Sequence, residues 1–151
     1  MMARHAQAGR VTWIGLRPAR RAGMEAVEAA EISEAGVAGD HGRAGKRAVT
    51  LIQAEHLPVI AAMLGCKAVA AEDLRRNIVV AGINLGALRG TEIRVGGARL
   101  LIETVCAPCS RMEETFGHGG YNAVRGHGGW CARVVLSGPV ALGDDVVPTA
   151  G

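Results

Sequence analysis

The stretch TEIRVGGARLLIET, residues 91–104, constrains this chain most. Two runs of alternating apolar and polar residues flank Gly96-Gly97, a dipeptide suited to the two-residue turn of an antiparallel hairpin. A lone hairpin is not stable in water, so it needs further strands or a packed helix to cover its apolar face. The composition supplies strands rather than a helix bundle. There are 22 glycines, which predict many turns and short strands. Only 3% of residues are aromatic, so Val, Ile, Leu and Ala must build the core. At 151 residues such a chain buries roughly 70% of its unfolded surface and needs neither disulfide nor metal to fold.

The rest of the chain follows this pattern. GRVTWIGLRP (9–18) reads as a strand in which Val11, Trp13 and Gly15 alternate with Thr12 and Ile14, and Pro18 stops it. MEAVEAAEIS (24–33) suits either a helix by propensity or an extended arm. EAGVAGDHGRAGKR (34–47) is a loop, and AVTLIQ (48–53) is a buried strand. In AEHLPVIAAMLG (54–65), Leu57, Ile60, Ala61 and Leu64 share a helix face and Gly65 stops it, with Pro58 tolerable in the first turn. Residues 70–85 begin as a helical turn and enter the strand NIVVAGI. CSRMEETFG (109–117) is another helical turn. GHGGYNAVRGHGG (117–129) reads as a glycine loop. The segment 130–148 gives a strand, a turn at Ser137-Gly138-Pro139, and a last short strand near Asp145–Val147, with Trp130 expected in the core. Seven or so strands and few helices favour a β-rich barrel with peripheral helices over a doubly wound sheet, and no boundary divides residues 1–151 into smaller domains.

A net charge of +3 without a dense Lys/Arg face or interleaved stacking aromatics does not point to nucleic acid. No run of 18 apolar residues predicts a membrane span. The N-terminal MMARHAQAGR lacks an apolar signal-peptide core, so a cytoplasmic setting is expected, in which thiols stay reduced.

Chemistry concentrates in three places. Cys106-Ala-Pro-Cys109 has the spacing of a thioredoxin-type dithiol. It sits after a strand and before a helical turn, but late in the chain and ahead of a glycine loop. Half of a zinc site would need a second close Cys/His pair, and Cys66 and Cys131 stand isolated in sequence. GDHGRAGKR (39–47) fails as a phosphate-binding P-loop at Asp40 and Arg47, and reads either as a solvated basic loop or as an anion site in which glycine amides join His41, Arg43, Lys46 and Arg47. Arg76 and Asn77 stand at the mouth of a strand. The 117–129 loop adds Tyr121, Asn122 and Arg125. The clustering of Phe116, Tyr121 and Trp130 suits either a flat ligand or a local core.

Taken in order, GVAGDHG, AVTLIQAEHL, EDLRRNIVVAGINL, GTEIRVGGARLLIETVCAPCSRM and RGHGGWCARVVLSGPVALGDDV resemble the MOSC domain. This is the C-terminal module of molybdenum-cofactor sulfurases and also occurs as stand-alone bacterial proteins. The resemblance runs from about Val11 to Val147. It implies a mixed α/β but predominantly β fold, a barrel with a few short peripheral helices. It implies binding of the molybdenum cofactor (molybdopterin, a pterin dithiolene phosphate) and a central cysteine that carries persulfide sulfur or ligates molybdenum. A proline precedes that cysteine in many members, which selects Cys109, with Cys106 second. Arg76-Asn77 match the family's Arg-Asn pair and Asp40 its Gly-Asp turn.

With that ligand in view, Asp40, His41, Arg43, Lys46, Arg47, Arg76, Arg111 and Arg125 would serve its phosphate and the thiol, and Asn77, Asn122 or Tyr121 the pterin edge. The sequence contains no counterpart of the sulfurases' pyridoxal-phosphate domain. The implied activities are sulfur transfer, or two-electron reduction of an N-hydroxylated substrate, with a sulfur donor or redox protein as partner. A non-catalytic cofactor carrier is the alternative. A thiol–disulfide oxidoreductase using Cys106 with Cys109 is the alternative from another class. The pocket is expected to stay open or to be closed by a second copy of the chain.

Overall fold

The computed structural model describes residues 4–19, 22–42, 44–106 and 110–149, without the side chains of Ser110 and Arg111. Cys109, Pro108 and Arg43 therefore lie outside the described residues.

The hairpin forms as read. Strands β7 (Glu92–Val95) and β8 (Ala98–Val105) pair antiparallel from Val95 opposite Ala98 to Glu92 opposite Leu101, so Gly96-Gly97 is the whole turn. The apolar face of this hairpin closes into a seven-stranded barrel. Around the ring, β1 (Gly9–Leu16) pairs with β11 (Asp145–Pro148), followed by β7, β8, β9 (Trp130–Leu136), β5 (Val49–Gln53) and β6 (Ile78–Ala81), which returns to β1. Among the described strands, only β5 and β6 run parallel. Closure leaves few unpaired edges, a strong reason for short strands to adopt this architecture.

Segment 24–33 takes the extended alternative, as β2 (Glu25–Val27) and β3 (Ala29–Ser33). The strand β2 adds to the C-terminal half of β1, with Ile14 opposite Val27. A small second sheet joins β10 (Gly138–Ala141), β3 and β4 (Gly36–Val37). Ser137-Gly138-Pro139, expected as a turn, is instead a crossing in which β10 starts at Gly138 and pairs with β3. Glycine is required there, because a Cβ on Gly138 would lie 2.2 Å from the Gly97 carbonyl oxygen. The simple alternation expected of β1 is also interrupted. A bulge between Val11 and Trp13 in the pairing with β6 turns Ile14 fully into the core and leaves Trp13 half-buried.

Strand β5 is buried along its whole length, which explains its unbroken apolar run. Val49 and Leu51 join the barrel interior with Ile78, Val80, Ile93, Leu100, Ile102 and Ala132. Ile52, with Val79 of β6, belongs to a second cluster outside the barrel, under helices. That cluster contains Ile60 and Ala61 of α1 (His56–Leu64) and Leu74 of α2 (Ala71–Leu74). It is completed by Met112 of α3 (Ser110–Phe116) and Val124 of α4 (Gly120–Val124). Gly65 ends α1 in the left-handed conformation, as its position predicts.

Helix α4 corrects the reading of 117–129 as loop throughout. The Glu113 carboxylate accepts from the Gly119 and Tyr121 backbone N–H groups, which starts the helix, and Ala123 and Val124 bury its inner face. A short 3-10 turn at Leu85–Leu88, also unexpected, buries both its leucines. The three clustered aromatics separate. Phe116 packs on the outer cluster, Trp130 on the barrel core as expected, and Tyr121 is exposed. No helix among the described residues is long and apolar enough to cross a membrane.

Candidate functional site

The barrel topology brings β1, β5 and β6 together at Asn77, one residue ahead of β6. Asn77 is fully buried. Its Oδ1 accepts from the Thr50 backbone N–H (3.1 Å) and hydroxyl (3.2 Å), and its Nδ2 donates to the Gly15 carbonyl (3.2 Å). The amide also lies near enough to the Asp40 carboxylate to help lower its pKa. Asn77 therefore stitches three strands together, and both polar atoms of its side chain are used inside the protein.

Asp40 is held in the same framework. Its carboxylate accepts from Arg17 three times, through the backbone N–H (2.7 Å), Nε (3.0 Å) and Nη2 (2.8 Å), and from Gly42 N–H (3.0 Å). Burial pushes this carboxyl up, but the Arg17 guanidinium and N–H together with Asn77 outweigh it, and the group ends below its usual value. Asp40 and Asn77 thus have a framework role, with both side chains engaged inside the protein.

A carboxyl whose folded pKa is depressed contributes stability that is present above its unfolded value and lost as pH falls through the folded value. Asp40→Asn is therefore expected to destabilise the protein by about 2 kcal/mol at neutral pH, the scale of a charge-assisted hydrogen bond. The gap between the two proteins should close below about pH 4. Urea unfolding at several pH values measures it, and a gap that persists in acid would count against the ion pair.

Arg76 is different. It is only 9% exposed, and the αL conformation of Arg75 just before it turns the chain from α2 into β6. Its Nε donates to the Gly128 carbonyl (2.6 Å) and Nη1 to the Leu74 carbonyl (3.0 Å). Among the described residues its Nη2 is buried with no hydrogen-bond partner. A Cβ on Gly128 would lie 3.2 Å from that nitrogen, so glycine keeps the space beside it open. An unpaired buried guanidinium edge is costly unless an anion or other acceptor meets it.

Two sulfurs lie close by. Cys106 follows the end of β8, where its N–H donates to the Gly129 carbonyl (2.8 Å). Cys131 lies in β9, opposite Thr50 of β5 and Thr104 of β8. Their Sγ atoms are 3.0 Å apart and both residues are buried. The hydrogen bond from Cys106 lowers the Cys131 thiol to about 7 despite its burial, with further help from Arg76, Arg47 and Arg17. The same hydrogen bond, with burial, raises Cys106. The arrangement is a pair of sulfurs in hydrogen-bond contact in a field of arginines, which favours ionisation of one of them, Cys131.

Of the residues singled out in the sequence, Asp40, Asn77, Arg76 and Cys106 converge here, and the exposed Arg47 lies near enough for its charge to favour ionisation of the cysteines. His41, Lys46, Asn122 and Arg125 are exposed; the His41 backbone N–H donates to the Arg17 carbonyl (2.8 Å), but no side-chain hydrogen bond ties any of the four to this cluster among the described residues. Arg43, Cys109 and the Arg111 side chain lie outside those residues. Sequence reasoning missed Cys131, Arg17 and Thr50, and the view of Cys131 as isolated is corrected by its contact with Cys106. No three His, Cys, Asp or Glu side chains among the described residues converge to hold a metal ion. Two clefts, of about 290 and 500 Å³, are lined from segments 4–10 and 81–88 with Glu55 and Asp145, and contain none of the residues expected at the site.

A family model described as MOSC domain matches residues 37–147. The chain belongs to the MOSC domain family. Among solved structures, this MOSC chain is similar to the YuaD protein from Bacillus subtilis, with a TM-score of 0.80 at 19% identity over 93% of this chain and 94% of that one. It is also similar to YiiM from Geobacillus stearothermophilus (TM-score 0.78, 15% identity, 94% and 75% covered). YiiM from Escherichia coli gives 0.73 at 19% identity, with 94% and 70% covered. At these identities the likeness is one of fold. A search of curated proteins finds no match. The MOSC barrel expected from the ordered motifs is thus the fold observed, and Arg76, Asn77, Cys106 and Cys131 all fall within the matched residues.

Proposed function

We propose that this MOSC protein binds the molybdenum cofactor beside Arg76 and works through Cys109 as a single thiol. One observation supports this above the others: the buried Nη2 of Arg76, unpartnered among the described residues and kept clear by Gly128, is suited to an anionic oxygen of the ligand. Arg47 adds positive charge to the same region, as its influence on Cys106 and Cys131 attests. When bound, the cofactor supplies a sulfur-ligated metal able to exchange two electrons.

The chain's own residues do the rest. Arg76 orients the anionic end, and Asp40 and Asn77 hold the strand ends that carry it. His41, Arg43, Lys46, Arg47, Arg111, Asn122 and Arg125 contribute charge and polar contacts from the surrounding loops. Cys109 would offer a thiolate to the molybdenum, or would accept a sulfane sulfur from a donor persulfide that departs as a thiol. The reaction is sulfur transfer or reduction of an N-hydroxylated substrate with a partner protein as electron source. Among the described residues the sulfur facing Cys106 is Cys131, which supports reading Cys109 as working alone rather than as half of a CxxC dithiol.

Separate substitutions test this. Cys109→Ser is expected to abolish turnover or sulfur loading, and Cys106→Ser to retain most of it. Equal loss in both would instead favour the dithiol. Bound cofactor without turnover on amidoxime or hydroxylamine substrates and without sulfur loading would identify a carrier.

A further inference from the structure

We propose that Cys106 and Cys131 form a reversible disulfide, made by reaction with a hydroperoxide, that locks the end of β8 to β9 beside Arg76. The two cysteines are 25 residues apart in sequence, yet the pairing of β8 with β9 and the Cys106 N–H bond to Gly129 bring their sulfurs to 3.0 Å. A disulfide needs them about 1 Å closer, at about 2.05 Å. Both are free thiols, and Cys106 and Cys131 are only 7% and 4% exposed. A small, neutral peroxide can reach such a pair where a bulky disulfide reagent cannot. The positive field of Arg76 and Arg47 favours the thiolate at Cys131, the form that attacks.

The chemistry balances without any bound cofactor. The Cys131 thiolate attacks one peroxide oxygen, the O–O bond breaks, and the leaving oxygen takes up a proton as water or an alcohol. Cys131 is now a sulfenic acid. Cys106 loses its proton and attacks that sulfur. The S–O bond breaks and the oxygen leaves as water. The two thiols have given up two electrons and two protons to the peroxide. An external dithiol returns them and restores the pair, itself becoming a disulfide.

Cys106 stands three residues before Cys109. The crosslink would therefore fix the chain at Cys106, just ahead of the segment bearing Cys109. The inference itself does not depend on the proposed cofactor or on Cys109, and its test needs neither.

Fully reduced protein is treated with a stoichiometric amount of hydrogen peroxide, alkylated, digested without reductant and mapped by mass spectrometry. Cys106 and Cys109 fall in one tryptic peptide, so Cys109→Ser is analysed beside the wild type. Both are expected to lose two titratable thiols, to yield a Cys106–Cys131 linked peptide with Cys66 alkylated, and to recover both thiols with dithiothreitol. Absence of that peptide in Cys109→Ser, a link joining Cys109 to either cysteine in the wild type, or oxidation that dithiothreitol does not reverse would overturn the proposal.

Discussion

Asn77→Ala is expected to lower the unfolding free energy by about 4 kcal/mol, a large part of the roughly 5–15 kcal/mol that holds a domain together. The substitution leaves the Thr50 N–H and the Gly15 carbonyl buried without their partner, on two strands that β6 must keep in register. Each orphaned group costs about 1–3 kcal/mol. For a chain of this size that corresponds to a fall in Tm on the order of 12 °C, readable by circular dichroism. Asn77→Asp should be no better. It keeps the acceptor for Thr50 but loses the donor to Gly15 and sets a second carboxylate against Asp40. Two carboxylates that close cannot both ionise without cost, so its defect should be largest near neutrality and ease in acid. Melting of Asn77→Ala within about 3 °C of wild type, less than 1 kcal/mol or so, would contradict the three-strand role.

Arg76→Met should separate binding from folding. The variant forfeits the bonds to Gly128 and Leu74, worth about 1 kcal/mol each, but it also removes a buried cation edge that lacks a partner among the described residues. The fold should therefore survive with a Tm shift of a few degrees, on the order of 5 °C. Affinity for the cofactor should fall about 10- to 100-fold, the value of one charge-assisted hydrogen bond. Arg76→Lys should not rescue it, because a single ammonium nitrogen cannot take the places of Nε, Nη1 and Nη2 at once. A second readout requires no ligand. Arg76 is among the groups that lower Cys131, so ultraviolet titration of the thiolate in Arg76→Met should show it forming at higher pH than in wild type. Unchanged affinity together with an unchanged thiolate titration would remove Arg76 from the site.

These residues also mark where the sequence is readable. The 91–104 hairpin, the strand 49–53 and the helix ending at Gly65 are local objects, encoded by alternation, a continuous apolar run and a stop residue. Arg76-Asn77 is visible as a pair ahead of a strand, but not the division of labour between them, because Asn77 meets Thr50, Gly15 and Asp40 only once the barrel closes. Helix α4 is hidden by flanking glycines, and its start depends on a carboxylate from the preceding helix. Cys131 is the clearest miss. Its neighbour Cys106 is supplied by another strand through a register interrupted by a bulge, and no local spacing carries that information.

Whether the space beside Arg76 holds the molybdenum cofactor is decided by producing the protein in a host that synthesises it, then assaying molybdenum and, after oxidation, pterin fluorescence. We expect stoichiometric molybdenum and pterin in the wild-type chain and a marked loss of both in Arg76→Met. Wild-type protein that carries neither would contradict the proposed function.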